Sequence, residues 1–264
     1  MFDDIINNAI ESARKRGIEI HNGDYIGKNE QGIEVLYCGK CHKPRESVLN
    51  YLDNKLFVPS ICDCDIERKK QEEFRHKIYN LKRHCYPNPQ LANNLLKLSF
   101  TTAKNNELIK CGKEYVEIFP DAENKGLIFC GVSGAGKTYA MICTVNALLN
   151  KGYSVRWYRA SDLLYELTDK YNKKDKETYS RLLYQNSILC IDDLNISTIS
   201  DKEAEILFDF IDVKLLQKTP ILITSNLSKN AFKNAESKNK RLLTRLYASC
   251  YIKECNNRNY RIEN

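Results

Sequence analysis

The sequence predicts an α/β fold, a parallel sheet covered by helices, preceded by a smaller cysteine-bearing domain. Three observations carry that expectation. From residue 126 onward, short apolar runs alternate with helix-like patterns, the signature of strand–helix–strand units. A glycine-rich turn, Gly131-Val-Ser-Gly-Ala-Gly-Lys-Thr138, joins one such run to one such helix. Four of the eleven cysteines gather as Cys38-x-x-Cys41 and Cys62-x-Cys64, while the other seven are scattered singly.

In chain order, Ile5, Ile6, Ala9, Ile10 and Ala13 fall at helical spacing over Asp3–Arg16, and Gly17 stops that helix. Residues 18–37 read as short strands and turns, punctuated by Asn22-Gly23 and Gly27. The cysteine-bearing stretch spans 38–64. Highly charged residues with sparse apolar positions then predict an exposed or linking helix over 66–84, broken by Pro87 and Pro89. The expected organisation is an N-terminal helical and cysteine-cluster domain over 1–85, a linker over 86–105 and a nucleotide-binding domain over 106–264. Within the last, strands are expected at 126–130, 153–158, 187–191 and 220–224, and helices at 137–149, 161–170, 202–217 and 239–247.

The turn at 131–138 fits the phosphate-binding pattern G-x-x-x-x-G-K-[ST] in its proper strand–turn–helix setting. Glycines 131, 134 and 136 allow the backbone N–H groups of this loop, Ser133, Ala135 and Tyr139 included, to face an anion at a helix N-terminus. Lys137 would reach the β- and γ-phosphates of ATP, and Thr138 would place its hydroxyl on Mg2+. Downstream, Ser187-Ile-Leu-Cys-Ile-Asp192-Asp193 is an apolar strand delivering paired carboxylates to its C-terminal edge. Asp192 would hold the magnesium and Asp193 would orient the attacking water. The run Pro220–Asn226 ends in Ser225-Asn226, either a strand entering a turn or an amide placed beside the γ-phosphate. Arg241 and Arg245 share one face of a late helix, either a solvated face or a cation offered to a neighbour's nucleotide.

For the clustered cysteines the alternatives are reduced thiols or a structural Zn2+ held by Cys38, Cys41, Cys62 and Cys64, with His42 able to replace one ligand. Net charge is +7, and from Lys214 onward eleven basic residues face three acidic ones. That imbalance suits a polyanion or a solvated surface. No run approaches the roughly 18 apolar residues of a membrane span, and the start has no signal-like pattern, so a cytoplasmic location without membrane contact is expected.

Phosphate loop, paired aspartates, strand-terminal asparagine and R-x-x-x-R follow the order seen in AAA+ ATPases. The chain most resembles the DnaC/DnaI-type helicase loaders and the IstB transposition helpers. The shared features are the loop, the segment Arg159-Ala-Ser161-Asp162-Leu-Leu164, Asp192-Asp193-Leu194, Thr224-Ser-Asn-Leu227 and the ending Asn259-Tyr260-Arg261, over roughly residues 90–264. The resemblance implies an AAA+ P-loop domain without a helical lid, and slow, switch-like hydrolysis, since Asp193 stands where most AAA+ proteins carry glutamate. It implies Arg245 as an arginine finger acting in trans and Arg241 beside the nucleotide, although Thr244 departs from the acidic or small residue usual before the finger. It further implies self-association through the ATP site, a hexameric replicative helicase as partner, and single-stranded DNA binding. Tyr247, Tyr251 and Tyr260 interleave with the basic residues, and each serves as a core or turn residue or as a stacking platform. A zinc-bearing N-terminal domain resembles the DnaI-type loaders more than IstB. The alternatives are an IstB-like transposition helper and a P-loop small-molecule kinase.

Overall fold

The computed structural model describes residues 11, 13–51, 54–104, 106–120, 123–172, 176–185, 187–196, 199–233 and 240–255. Most of the expected Asp3–Arg16 helix lies outside them, as do Tyr260 and the Asn259–Arg261 ending; residues 11 and 13–15 are helical. The chain divides into two compact units, Met1–His76 and Lys77–Asn264.

The smaller unit holds two antiparallel hairpins. Strands β1 (Tyr25–Lys28) and β2 (Glu34–Tyr37) pair with Tyr25 opposite Tyr37, and their rings stack at 5.6 Å. Strands β3 (Glu46–Tyr51) and β4 (Asn54–Pro59) form the second hairpin, inside the stretch read from sequence only as cysteine-bearing. Among the described residues one apolar cluster here is small: Ala13, Ile18 and Leu36 are buried, with Ile20 and Ile26 packed beside them. Helix α1 (Asp63–Cys85) begins at the second cysteine pair and crosses the division between the units.

The expected linker 86–105 belongs instead to the larger unit. Asn88 caps helix α2 (Pro89–Leu95), accepting from the N–H groups of Gln90 and Leu91. Tyr86 and Ala92 are buried in that unit's core, and Asn146 Nδ2 donates to the carbonyls of Leu95 and Leu98 at 2.8 and 2.7 Å. The two prolines thus end one helix and start another, and buried apolar side chains hold the segment down.

The remaining elements are α3 (Glu107–Ile118), β5 (Gly126–Gly131), α4 (Lys137–Asn150), β6 (Val155–Arg159), α5 (Ala160–Asn172), α6 (Lys176–Tyr184), β7 (Ile188–Asp192), α7 (Asp201–Leu216), β8 (Ile221–Thr224), α8 (Lys229–Lys233), α9 (Lys240–Ser249) and β9 (Cys250–Cys255). The five strands of this unit are all parallel, in the order β6-β7-β8-β5-β9. Both faces are covered, and alternation along each strand divides the core in two. Ile128, Leu189, Ile191 and Ile223 meet Leu163, Phe210 and Leu246 on one face. Leu127, Phe129, Cys190 and Leu222 meet Leu108, Met141 and Leu148 on the other. The four expected strands and four expected helices are present within a few residues, while β9, α3, α6 and α8 add elements that sequence pattern did not reveal.

Candidate nucleotide site and cysteine cluster

The sheet order decides which residues meet. Strand β8 lies between β5, which feeds the glycine loop, and β7, which ends in Asp192. The C-terminal ends of all three strands therefore open at one edge, and residues just past them converge there. The loop turns through left-handed glycines at Gly131, Gly134 and Gly136, a backbone region that side chains disfavour. Gly136 is the N-cap of α4, and no side chain caps that helix, so its first N–H groups are available to an anion.

Lys137 is buried and its Nζ donates to three acceptors: the carbonyls of Gly131 (2.9 Å) and Val132 (2.7 Å), and Asn226 Oδ1 (2.9 Å). Asn226 Nδ2 donates to Asp193 Oδ1 at 2.9 Å. One amide thus bridges the loop lysine and the second aspartate. Asp193 takes a left-handed φ of 56°, held by that bond and by its own N–H donating to Thr224 Oγ1 at 2.8 Å. Thr138 Oγ1 donates to Asp192 Oδ1 at 2.9 Å, and Thr224 Oγ1 donates to the same oxygen at 2.6 Å. Burial pushes the Asp192 carboxyl above its ordinary range; the Thr224 and Thr138 hydrogen bonds pull it back, the Asp193 charge adds to the rise, and the Arg159 charge opposes it.

These groups line a cleft of about 1190 Å³ that runs from the loop along α5 to Glu203 at the start of α7. Tyr139 and Leu98 close one part of it, and the Tyr139 hydroxyl lies 3.2 Å from Thr102 Oγ1. The structure therefore brings together Lys137, Thr138, Asp192, Asp193 and Asn226. Magnesium fits the meeting of Thr138 and Asp192, a hydroxyl and a carboxylate at the mouth of a phosphate loop, all hard oxygen donors. Arg241 and Arg245 do not line the cleft. Arg241, expected beside the nucleotide, lies over the Phe208 ring at 4.9 Å, and Arg245 pairs with Asp212 at 2.5 Å. Both are held by α7, against which α9 packs. Sequence reading named Thr224 and Arg159 only as members of shared segments and gave neither a role at the site; Thr224 ends a buried strand, and Arg159 ends β6 and lines the cleft.

In the smaller unit, the four clustered cysteines place their Sγ atoms within 4.8 Å of one another. A ZnS4 tetrahedron with bonds near 2.3 Å has edges of about 3.8 Å, so the donor set suits a soft tetrahedral cation. His42 is outside this group; its Nδ1 meets the Tyr25 hydroxyl at 3.2 Å. The turn at Cys38–Cys41 needs Gly39, because a Cβ there would come within 2.0 Å of the Gly23 carbonyl oxygen. The backbone N–H of Lys43 holds the Cys41 thiol down at about 7, and burial pushes Cys62 up to about 12. Arg45, unforeseen from sequence, ties the two cysteine turns together. It donates to Asp24 at 2.7 Å and to Asp65 at 2.7 Å. Asp24 in turn accepts the Gly39 N–H at 3.0 Å, and Asp65 lies 3.4 Å from Cys62 Sγ. Such outer partners orient metal ligands.

Residues 89–264 match the family described as IstB-like ATP binding protein. The chain belongs to that family. It is 25% identical over 143 residues to the chromosomal replication initiator protein DnaA of Bordetella pertussis, covering 53% of this chain and 30% of that protein. It is 28% identical over 106 residues to an ATP-binding protein of insertion sequence IS5376 from Geobacillus stearothermophilus, covering 39% of this chain and 41% of the other. The chain thus spans well under half the length of these curated relatives. Among solved structures, the DnaC helicase loader superposes with a TM-score of 0.52 at 23% identity, over 61% of this chain and 98% of that one. The larger unit therefore has the AAA+ fold, and this family member is an ATP-binding protein. Among the described residues, no helix is long and apolar enough to cross a membrane.

Proposed function

We propose that this chain is an ATP-dependent loader of a hexameric replicative helicase, delivering it to single-stranded DNA in replication initiation. The observation that carries the reading is a cysteine-cluster unit joined to an ATP-binding unit folded like the DnaC loader. Cys38, Cys41, Cys62 and Cys64 hold a structural Zn2+, and metal binding adds folding free energy to that unit. That unit takes the helicase.

In the ATP site, the glycine loop and the α4 N-terminus bind the triphosphate, and Lys137 leaves its carbonyl acceptors for the β- and γ-phosphates. Thr138 and Asp192 hold Mg2+, which neutralises charge on those phosphates when bound. Asp193 orients the attacking water, and Asn226 senses the γ-phosphate. Because Asn226 bridges Lys137 and Asp193, moving the lysine frees the amide and changes the aspartate's partner. Hydrolysis is slow and switch-like, consistent with the short reach of Asp193. Arg245 reaches a neighbour's nucleotide after release from Asp212, which makes self-association part of the site.

A second reading, an IstB-like transposition helper, is favoured by the likeness to the IS5376 protein. Affinity capture of the full chain with ATP from its native host tests the choice. Recovery of a replicative helicase supports the loader, and recovery of a transposase without helicase overturns it.

A further inference from the structure

Arg159 ends β6, and in the parallel pairing of β6 with β7 it is the register partner of Asp192. Register partners in a sheet send their side chains to the same face, so the guanidinium leaves the sheet edge on the side where Asp192 meets Thr138. It lines the same cleft as Lys137, Thr138, Asp193 and Asn226. Lys137 and Arg159 are the cationic side chains among the described residues lining that cleft. Lys137 is spoken for by three acceptors, whereas Arg159 is exposed and, among the described residues, has no hydrogen bond or ion pair. The late-helix arginines do not compete for this place: one lies over Phe208 and the other pairs with Asp212.

We infer that Arg159 is a catalytic residue of ATP hydrolysis acting in cis, its guanidinium contacting the γ-phosphoryl oxygens of the nucleotide in its own site. This rests on the ATPase reading above. In the reaction, a water oxygen forms a bond to the γ-phosphorus. The bond from that phosphorus to the β–γ bridging oxygen breaks, and its electron pair leaves on ADP. Both water protons stay on the phosphate product, so no proton passes through Arg159. The guanidinium remains charged throughout and stabilises the charge spread over the equatorial oxygens. A planar fork suits that array better than an ammonium.

The test uses the full chain with Arg159→Ala and Arg159→Lys. For Arg159→Ala the expected result is a kcat lowered about tenfold to a hundredfold at saturating ATP. Its nucleotide affinity should stay within about twofold of wild type, with Arg159→Lys recovering part of the rate. Mixing Arg159→Ala with excess Lys137→Ala separates cis from trans. The second chain cannot hold ATP but presents an intact Arg159, so a cis residue leaves the rate low. Restored activity on mixing, an unchanged kcat, or a raised kcat overturns the inference. A wild-type chain that binds ATP yet never hydrolyses it overturns the ATPase reading and the inference together, and is recognised because wild type and variant are then equally inactive.

Discussion

Replacing Thr224 with valine preserves the shape of a side chain that is 1% exposed while deleting its hydroxyl. That oxygen donates to Asp192 Oδ1 at 2.6 Å and accepts the Asp193 N–H at 2.8 Å. A hydrogen bond to a carboxylate contributes about 1.5–3 kcal/mol, and a backbone N–H left without a partner costs about 1–3 kcal/mol. Asp192 keeps its bond from Thr138 and Asp193 faces the cleft, so the expected loss is about 3 kcal/mol, below the sum of the upper limits. Urea unfolding followed by the fluorescence of Trp157 measures it. Trp157 is the chain's single tryptophan; it is 2% exposed and pairs with Cys190 across β6 and β7, so it reports on the ATP-binding unit. Thr224→Ser retains both hydrogen bonds and should lose only about 1 kcal/mol, for the buried methyl. A valine variant within about 0.5 kcal/mol of wild type, the range of a neutral surface change, would refute the reasoning. So would a serine variant as damaged as the valine one.

Lys214 is buried, its Nζ donating to the Gln185 carbonyl at 2.8 Å, and burial lowers its pKa from 10.5 to about 8. Between those values the unfolded chain binds the extra proton, so this residue's contribution to stability rises with pH. Wild type should therefore gain up to about 3 kcal/mol relative to Lys214→Met between pH 8 and 10.5; a pH-independent difference in urea unfolding would contradict this. Elemental analysis should find about one zinc per chain, and Cys62→Ser should lose it; wild-type protein purified reduced and metal-free, yet folded in residues 13–76, would rule the zinc out. Arg245→Ala should leave ATP affinity intact while lowering ATPase. Because Arg245 acts in trans, adding Lys137→Ala chains should restore activity, the opposite of the Arg159→Ala outcome.

The phosphate loop was readable because its chemistry is local. Glycine spacing, the lysine and the hydroxyl must sit within eight consecutive residues. The paired aspartates and Asn226 were readable for a related reason, as each ends an apolar run that has to be a buried strand. Thr224 was not, because its role comes from facing Asp192 across neighbouring strands, and strand order has no local signature. The hairpin β3–β4 was hidden by polar and exposed residues that blur the alternation expected of a strand with one buried face. The placement of 86–105 was misjudged because proline breaks a helix whether the chain then leaves the domain or turns back onto it.

By itself the sequence determined the ligand class, the α/β architecture and the presence of a four-thiol cluster, since glycine turns, apolar periodicity and cysteine spacing are properties of short segments. Tertiary structure alone decided that β8 lies between the loop strand and the Asp192 strand. Only that order lets one asparagine hold both Lys137 and Asp193. It also decided that the four sulfurs converge while His42 stays apart, that Arg245 and Arg241 rest against α7, and that Arg159 lines the cleft in register with Asp192. Each depends on residues distant in sequence, and such placements are set by the packing within each unit.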